Sequence, residues 1–232
     1  MVTNPEIVYK DKNVVVIVKP ISMPSQADPT GDVDAMTRTS EILSSLGESD
    51  DLWLVHRLDR VVGGVVVYAA NKKYAAILSE LVAGREMVKE YLAVTEGSAP
   101  GGIMKDYLYK DAAKGKAFVV STERRGVKEA VLEYEPISEV VTERGVRTLV
   151  RVRLHTGRFH QIRVQFASRG LSLVGDGKYG SRDGVAHTPA LFASRLEFGY
   201  INRTLEIKAL PDIKEYPWSL FADRISEIGD EK

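Results

Sequence analysis

No cysteine occurs among the 232 residues. Its absence excludes disulfides, thiol nucleophiles, iron–sulfur clusters and cysteine-ligated zinc together, and suits a reducing compartment such as the cytoplasm. Long apolar runs are missing too. The longest, Val14–Val18 and Val65–Ala70, fall far short of the roughly 20 residues that cross a bilayer. The opening MVTNPEIVYKDK has no basic-then-apolar-then-small pattern, so no secretory signal is expected there. Several catalytic signatures are also lacking. There is no GxSxG elbow for a serine hydrolase, no HExxH, and no GxxxxGK[ST] cradle for a nucleoside triphosphate. The four histidines, His56, His155, His160 and His187, are scattered. No metal is expected.

What is present begins with an ordinary globular composition, 44% hydrophobic and 28% charged, and a length that fits one large domain or two small ones. Thirty-two cationic and 32 acidic residues cancel to a net charge of zero, whereas a chain that grips long nucleic acid is often basic. That average hides a segregation. Between Arg147 and Arg182 stand Arg147, Arg151, Arg153, Arg158, Arg163, Arg169, Lys178 and Arg182 against Asp176 alone. Between Asp28 and Asp51 stand Asp28, Asp32, Asp34, Glu41, Glu48, Asp50 and Asp51 against Arg38 alone. The two runs are either solvated faces or, as we prefer, the mark of an anion-binding face placed by the later segment.

Periodicity predicts strands at Val14–Val18, Val65–Ala70, Tyr91–Thr95, Ala117–Ser121, Glu129–Glu135, Thr148–Leu154, Leu191–Phe198 and Thr204–Leu210. Ser22–Asp51 reads as a mobile connection with a helical patch at Thr39–Leu46. A helix is expected from an Asn71 cap to Val82, with Gly84 at C′. Another is expected from a Thr156 cap to about Ser168, and a last one after Pro217. Strands outnumber helices without regular alternation, so the expected class is α+β around a largely antiparallel sheet.

Four segments could carry chemistry. In Val55-His56-Arg57-Leu58-Asp59-Arg60, an aspartate lies between two arginines, which would hold its carboxylate charged; by spacing alone a surface ion-pair cluster serves equally. Thr156-Gly157-Arg158-Phe159-His160-Gln161-Ile162-Arg163-Val164, if helical, puts His160 and Arg163 on one polar face fit for phosphate or carboxylate, or simply on a solvated side. Lys89-Glu90-Tyr91 opens a strand, and its tyrosine is either core or a platform for a base. Leu173-Val174-Gly175-Asp176-Gly177-Lys178-Tyr179-Gly180 reads as a tight turn with a polar tip. Asp59 with Asp176 as a hydrolase pair has no positive support.

In this order, and with Val16-Ile17-Val18-Lys19-Pro20 before them, these segments resemble the RluA family of RNA pseudouridine synthases over about Val14–Pro211. The resemblance implies a mixed, mostly antiparallel sheet split by an active-site cleft. It also implies isomerisation of selected uridines in structured RNA, ribosomal or transfer, without cofactor or metal. Asp59 would be the catalytic carboxylate, Arg163 the basic residue paired with it, and Tyr91 the aromatic that stacks on the target uracil. Arg57 would fill the space left by the flipped uridine, and His56, Arg60, Arg158, His160 and Gln161 would contact substrate. A single catalytic domain covering 1–232 is expected, monomeric, with no separate N-terminal RNA-binding domain.

Four positions depart from the family pattern. Val62-Gly63-Gly64 stands where Thr-Ser-Gly is usual, Phe159 where threonine is, and Ser22 where the glycine of KPxG is. Two hydroxyls near the aspartate loop are thereby lost. The rival expectation is accordingly an RNA-binding or chaperone module of the same fold with weakened catalysis.

Overall fold

Val14, Val15, Val16 and Ile17, and all of Gly63–Ala69, are buried without a break, the pattern of strands covered on both faces. The computed structural model describes residues 4–230; residues 1–3, the first of the segment read for a secretory signal, and 231–232 lie outside the described residues. The chain forms two compact units. One comprises residues 4–88 and 193–209, the other 89–192 and 210–230.

In the first unit, β1 (Glu6–Lys10), β2 (Val14–Lys19) and β4 (Gly63–Ala69) lie side by side, followed by β10 (Leu191–Tyr200) and β11 (Arg203–Lys208); the two-residue β3 (Trp53–Leu54) also pairs with β4. The β1–β2, β2–β4 and β10–β11 pairings are antiparallel. Every residue of β4 is buried. The alternate valines of β2 and β4 pack with Leu196, Phe198 and Tyr200 of β10 and with Leu78 of α2 (Lys72–Ala83). Asn71 caps α2 as expected, its side chain accepting the Tyr74 N–H at 3.0 Å. Gly84 does not adopt the left-handed C′ form. It ends the helix at φ −72°, and Arg85 after it takes φ 62°.

The segment read as a mobile connection contains α1 (Ala35–Ser45), which starts four residues before the expected patch. Its cap is Asp34, whose carboxylate accepts from the N–H groups of Met36 and Thr37. The acidic run is therefore partly a helix start.

In the second unit the order is β5 (Val88–Glu96), β9 (Gly145–Leu154), β8 (Val127–Thr142), β6 (Gly102–Asp111) and β7 (Lys116–Val120), with antiparallel pairings throughout. Proline at position 136 falls where the β8 register shifts, a bulge that tolerates a missing donor. Leu92, Val94 and Leu149 form a core with Phe221 and with Ile225 of α4 (Ala222–Asp230). A second cluster joins Leu108, Ala117 and Ala130 to Val164 and Tyr179.

The helix expected from Thr156 is a correction. Only α3 (Gln161–Ala167) is helical, and Gln161–Phe166 are all buried. His160 sits at its start with φ 53°, so His160 and Arg163 do not share an exposed helical face. The cause is local: Thr156 Oγ1 donates to the Gln161 side chain at 2.8 Å instead of capping a backbone turn.

Candidate active site

The His56–Arg60 segment links β3 to β4 as a loop pinned from several sides. His56 Nε2 accepts the Val67 N–H at 3.2 Å. Leu58 exchanges two bonds with the Ser25 hydroxyl, donating its N–H at 3.0 Å and accepting at its carbonyl at 2.9 Å. The Tyr68 hydroxyl in turn donates to the Ser25 carbonyl at 2.8 Å. Val62 N–H closes a turn onto the Asp59 carbonyl at 3.0 Å. Each bond fixes backbone, which leaves the Asp59 side chain half-buried on a rigid support.

Lys19 lies beneath this loop, with no exposed surface. Its ammonium donates to the carbonyls of Pro20 at 2.8 Å, Met23 at 2.7 Å and Arg60 at 3.2 Å. Burial pushes it down to about 7, the Asp59 carboxylate pulls it back up, and Arg60 lowers it further. Lys19 and Ser25 are the supports that spacing did not single out. The signal available for Lys19 was its place at the end of a fully apolar strand, where an unpaired charge is costly.

The two arginines beside Asp59 behave differently. Arg57 is exposed. Arg60 turns its guanidinium to Asp32 at 2.6 Å and Asp28 at 3.4 Å, so Arg60 is clamped by the acidic run rather than serving as a clamp on Asp59. Gly64 follows at φ 118°, and a Cβ there would stand 2.3 Å from the Ala193 carbonyl oxygen. That explains why glycine persists at this position while Val62, now buried apolar packing, replaces a hydroxyl.

In the second unit, Tyr91 is buried on β5 opposite Val152 of β9. Lys89, two residues earlier, brings its ammonium 3.8 Å from where a Gly157 Cβ would be, so the second and third sequence segments meet. Burial lowers the Lys89 ammonium below its ordinary value. Gln161 is an organiser of its loop: its oxygen accepts from the Arg158 N–H at 3.0 Å and from Thr156, and its nitrogen donates to the Val131 carbonyl at 3.1 Å. Arg158 is half-buried and donates from Nε to the Glu129 carbonyl at 2.8 Å.

Arg163 makes a buried bidentate pair with Asp176, Nε to Oδ2 at 2.7 Å and Nη2 to Oδ1 at 2.8 Å. Its guanidinium also lies 5.2 Å from the Tyr179 ring centre. The glycine-rich segment keeps an exposed polar tip at Gly177-Lys178, but its aspartate is 1% exposed because it neutralises a buried cation. His160 Nδ1 meets the Tyr179 hydroxyl at 2.9 Å, and that hydroxyl accepts the Ala117 N–H at 2.8 Å. Burial, then Arg163 and Lys178, pushes His160 down to about 3, so its ring stays neutral.

The basic run of 147–182 proves mostly self-contained. Arg147 pairs with Asp183, Arg151 with Glu135, Arg153 with Glu133, Arg163 with Asp176 and Arg169 with Asp106. Four of these five carboxylates lie outside the acid-poor stretch in the chain, which is why the segregation seen in sequence does not survive folding. Among the described residues no group of His, Asp and Glu could hold a metal ion, and no helix is long and apolar enough to cross a membrane.

Comparison with solved structures defines the class first. The human RNA pseudouridylate synthase domain containing 4 superposes with a TM-score of 0.76 at 24% identity, covering 95% of this chain and 93% of that one. The fold is accordingly that of a pseudouridine synthase domain. The family model for RNA pseudouridylate synthase matches residues 13–168, a span that includes Asp59, Tyr91 and Arg163. The chain belongs to this family of isomerases, on the RluA side of it. An uncharacterized RNA pseudouridine synthase of Haemophilus influenzae is 29% identical over 211 residues, covering 89% of this chain and 87% of its own length. Ribosomal large subunit pseudouridine synthase D of Escherichia coli O6:H1 is 32% identical over 181 residues; these span 76% of this chain and only 53% of that relative.

Proposed function

We propose that the protein converts selected uridines of a structured RNA to pseudouridine, with Asp59 as the catalytic carboxylate. The observation that carries this is the setting of Asp59: half-buried, on a loop whose backbone is held by His56, Ser25 and the buried Lys19. A carboxylate that must act at one sugar carbon needs such a fixed support. In the reaction the C1′–N1 bond breaks, the uracil turns, and a C1′–C5 bond forms. C5 loses its proton and N1 gains one, so product and substrate are isomers and no co-reactant is consumed. Asp59 serves either by attack on C1′ or by promoting glycosidic cleavage.

The remaining roles follow the family motifs. Tyr91 is the stacking face for the detached uracil, and a candidate to handle the C5 proton. Arg163 matches the basic residue that the family motif assigns to the catalytic carboxylate, and Asp176 holds its Nε edge in place. Arg57, exposed on the loop, takes the space of the extruded nucleotide, whose unstacking costs a few kcal/mol. His56, Arg60, Arg158, His160 and Gln161 support or contact the RNA around it. The name of the Escherichia coli relative favours ribosomal over transfer RNA as substrate, and the absence of cysteine suits a cytoplasmic enzyme. We take the active species to be a monomer that needs no cofactor.

The test is release of tritium from RNA labelled at uracil C5. Wild type should release it, and Asp59→Ala should reduce release by at least about 10³-fold while RNA affinity stays within a few fold. Binding without release from any cellular RNA pool would instead favour the chaperone module.

A further inference from the structure

Most of the arginines that looked available for RNA are spent on internal carboxylates, and the unspent cations lie elsewhere in the second unit. Among the described residues, Lys110 and Lys116 of the β6–β7 hairpin, and Lys178 beside it, have no carboxylate within ion-pair distance. Lys114 at the hairpin tip has only Asp111, at 3.8 Å. Three of these ammonium groups, those of Lys110, Lys114 and Lys116, lie over aromatic faces. Lys110 Nζ is 4.7 Å from the Phe159 ring centre, Lys116 Nζ is 5.0 Å from that of Tyr179 and 5.8 Å from that of Phe118, and Lys114 Nζ is 5.7 Å from Phe118. Lys178 Nζ donates to the Gly115 carbonyl at 3.1 Å, which ties the glycine-rich turn to the hairpin tip. Phe159 in turn stacks on His160 at 3.8 Å, and His160 stays neutral, so the ring beneath Lys110 adds no charge of its own.

Four cations gathered at this hairpin, around the half-exposed rings of Phe118 and Phe159 and the buried one of Tyr179, repel one another unless an anion is shared among them. Phosphates meet the charges while bases can lie on the rings, a combination that suits single-stranded nucleic acid. Phe159 stands where the family has threonine, so this one ring of the surface is a departure of this chain from the family pattern. We propose that the β6–β7 hairpin, with Phe159 and Lys178, binds an unpaired stretch of the substrate RNA, its phosphates on the four lysines and a base on Phe118. This rests on the RNA-isomerase reading for the identity of the partner, and on the hairpin alone for the place.

The experiment titrates a fluorescein-labelled 12-nucleotide uridine-rich single strand by anisotropy from 50 to 250 mM KCl. A second arm measures C5 tritium release from labelled total RNA. Replacing Lys110, Lys114 and Lys116 together by glutamine should lower the slope of log affinity against log salt by about 2, given about 0.7 per phosphate contact on a single strand. Phe118→Leu, which keeps apolar volume, should weaken binding about fivefold to tenfold at fixed salt without changing the slope. In the release arm the triple variant should raise KM and keep kcat. An unchanged slope, or an unchanged KM in a variant that still releases tritium, overturns this surface and leaves the isomerase standing. Loss of binding in the variants, with no release by wild type, supports the surface and overturns the isomerase.

Discussion

At the scale of single residues, the departures from the family pattern have separate consequences. Ser22 takes the KPxG position with φ 64°, a left-handed conformation that costs a side chain about 1–2 kcal/mol and glycine very little. Ser22→Gly should therefore raise stability by about 0.5–1 kcal/mol after the greater freedom of glycine in the unfolded chain is subtracted. Urea unfolding checks this, and a loss of stability would contradict it. Gly64 is the opposite case. Alanine there meets the Ala193 backbone, so Gly64→Ala should destabilise by about 3 kcal/mol or more. Lys19 carries the pH dependence. The unfolded chain keeps this proton to about pH 10.4, the folded chain only to about 7. Between those values the unfolded state binds more protons, so this group makes stability rise with pH, by at most about 1.4 kcal/mol per unit. Urea midpoints between pH 7 and 9 should show the rise in wild type and not in Lys19→Met. Equal slopes in the two proteins would contradict the assignment.

Among elements, the α3 segment shows where sequence spacing succeeds and where it fails. The strands with clean alternation or a β-branched run, β2, β4 and β9, were legible, and α2 was legible with its Asn71 cap. β6 was missed because its apolar residues come in adjacent pairs, Ile103-Met104 and Tyr107-Leu108, which fits no single-faced strand. The Thr156–Ser168 stretch reads as an amphipathic helix with His160 and Arg163 on one polar face, and Gln161 as a substrate contact. Gln161, Arg163 and Gln165 are all buried and each has polar partners there, Val131 among those of Gln161, Asp176 of Arg163 and Asp106 of Gln165. Periodicity cannot reveal a burial that a distant partner permits. The Arg163–Asp176 pair yields a prediction at this scale: Asp176→Asn takes this carboxylate's charge from a guanidinium that is 5% exposed, at a cost of about 3–5 kcal/mol in urea unfolding. A loss below about 1 kcal/mol would mean that water reaches the pair.

For the whole molecule, neutrality is the property that folding reinterprets. Clusters of like charge along the chain become mixed pairs in space: the acidic run clamps Arg60 and caps α1, and the basic run is mostly neutralised by carboxylates from other strands. What the sequence motifs conveyed well was the family and the order of its segments. What they could not convey was the scaffold under the aspartate, since Lys19 and Ser25 act through backbone carbonyl and amide groups that leave no trace in side-chain pattern. The central claim, that this chain isomerises uridine through Asp59, is tested most directly in the cell. Pseudouridines are mapped in total RNA from cells with the gene intact, deleted, or carrying Asp59→Ala. At least one pseudouridine should vanish on deletion and stay absent with Asp59→Ala. A map unchanged by deletion, or restored by the alanine variant, would contradict it.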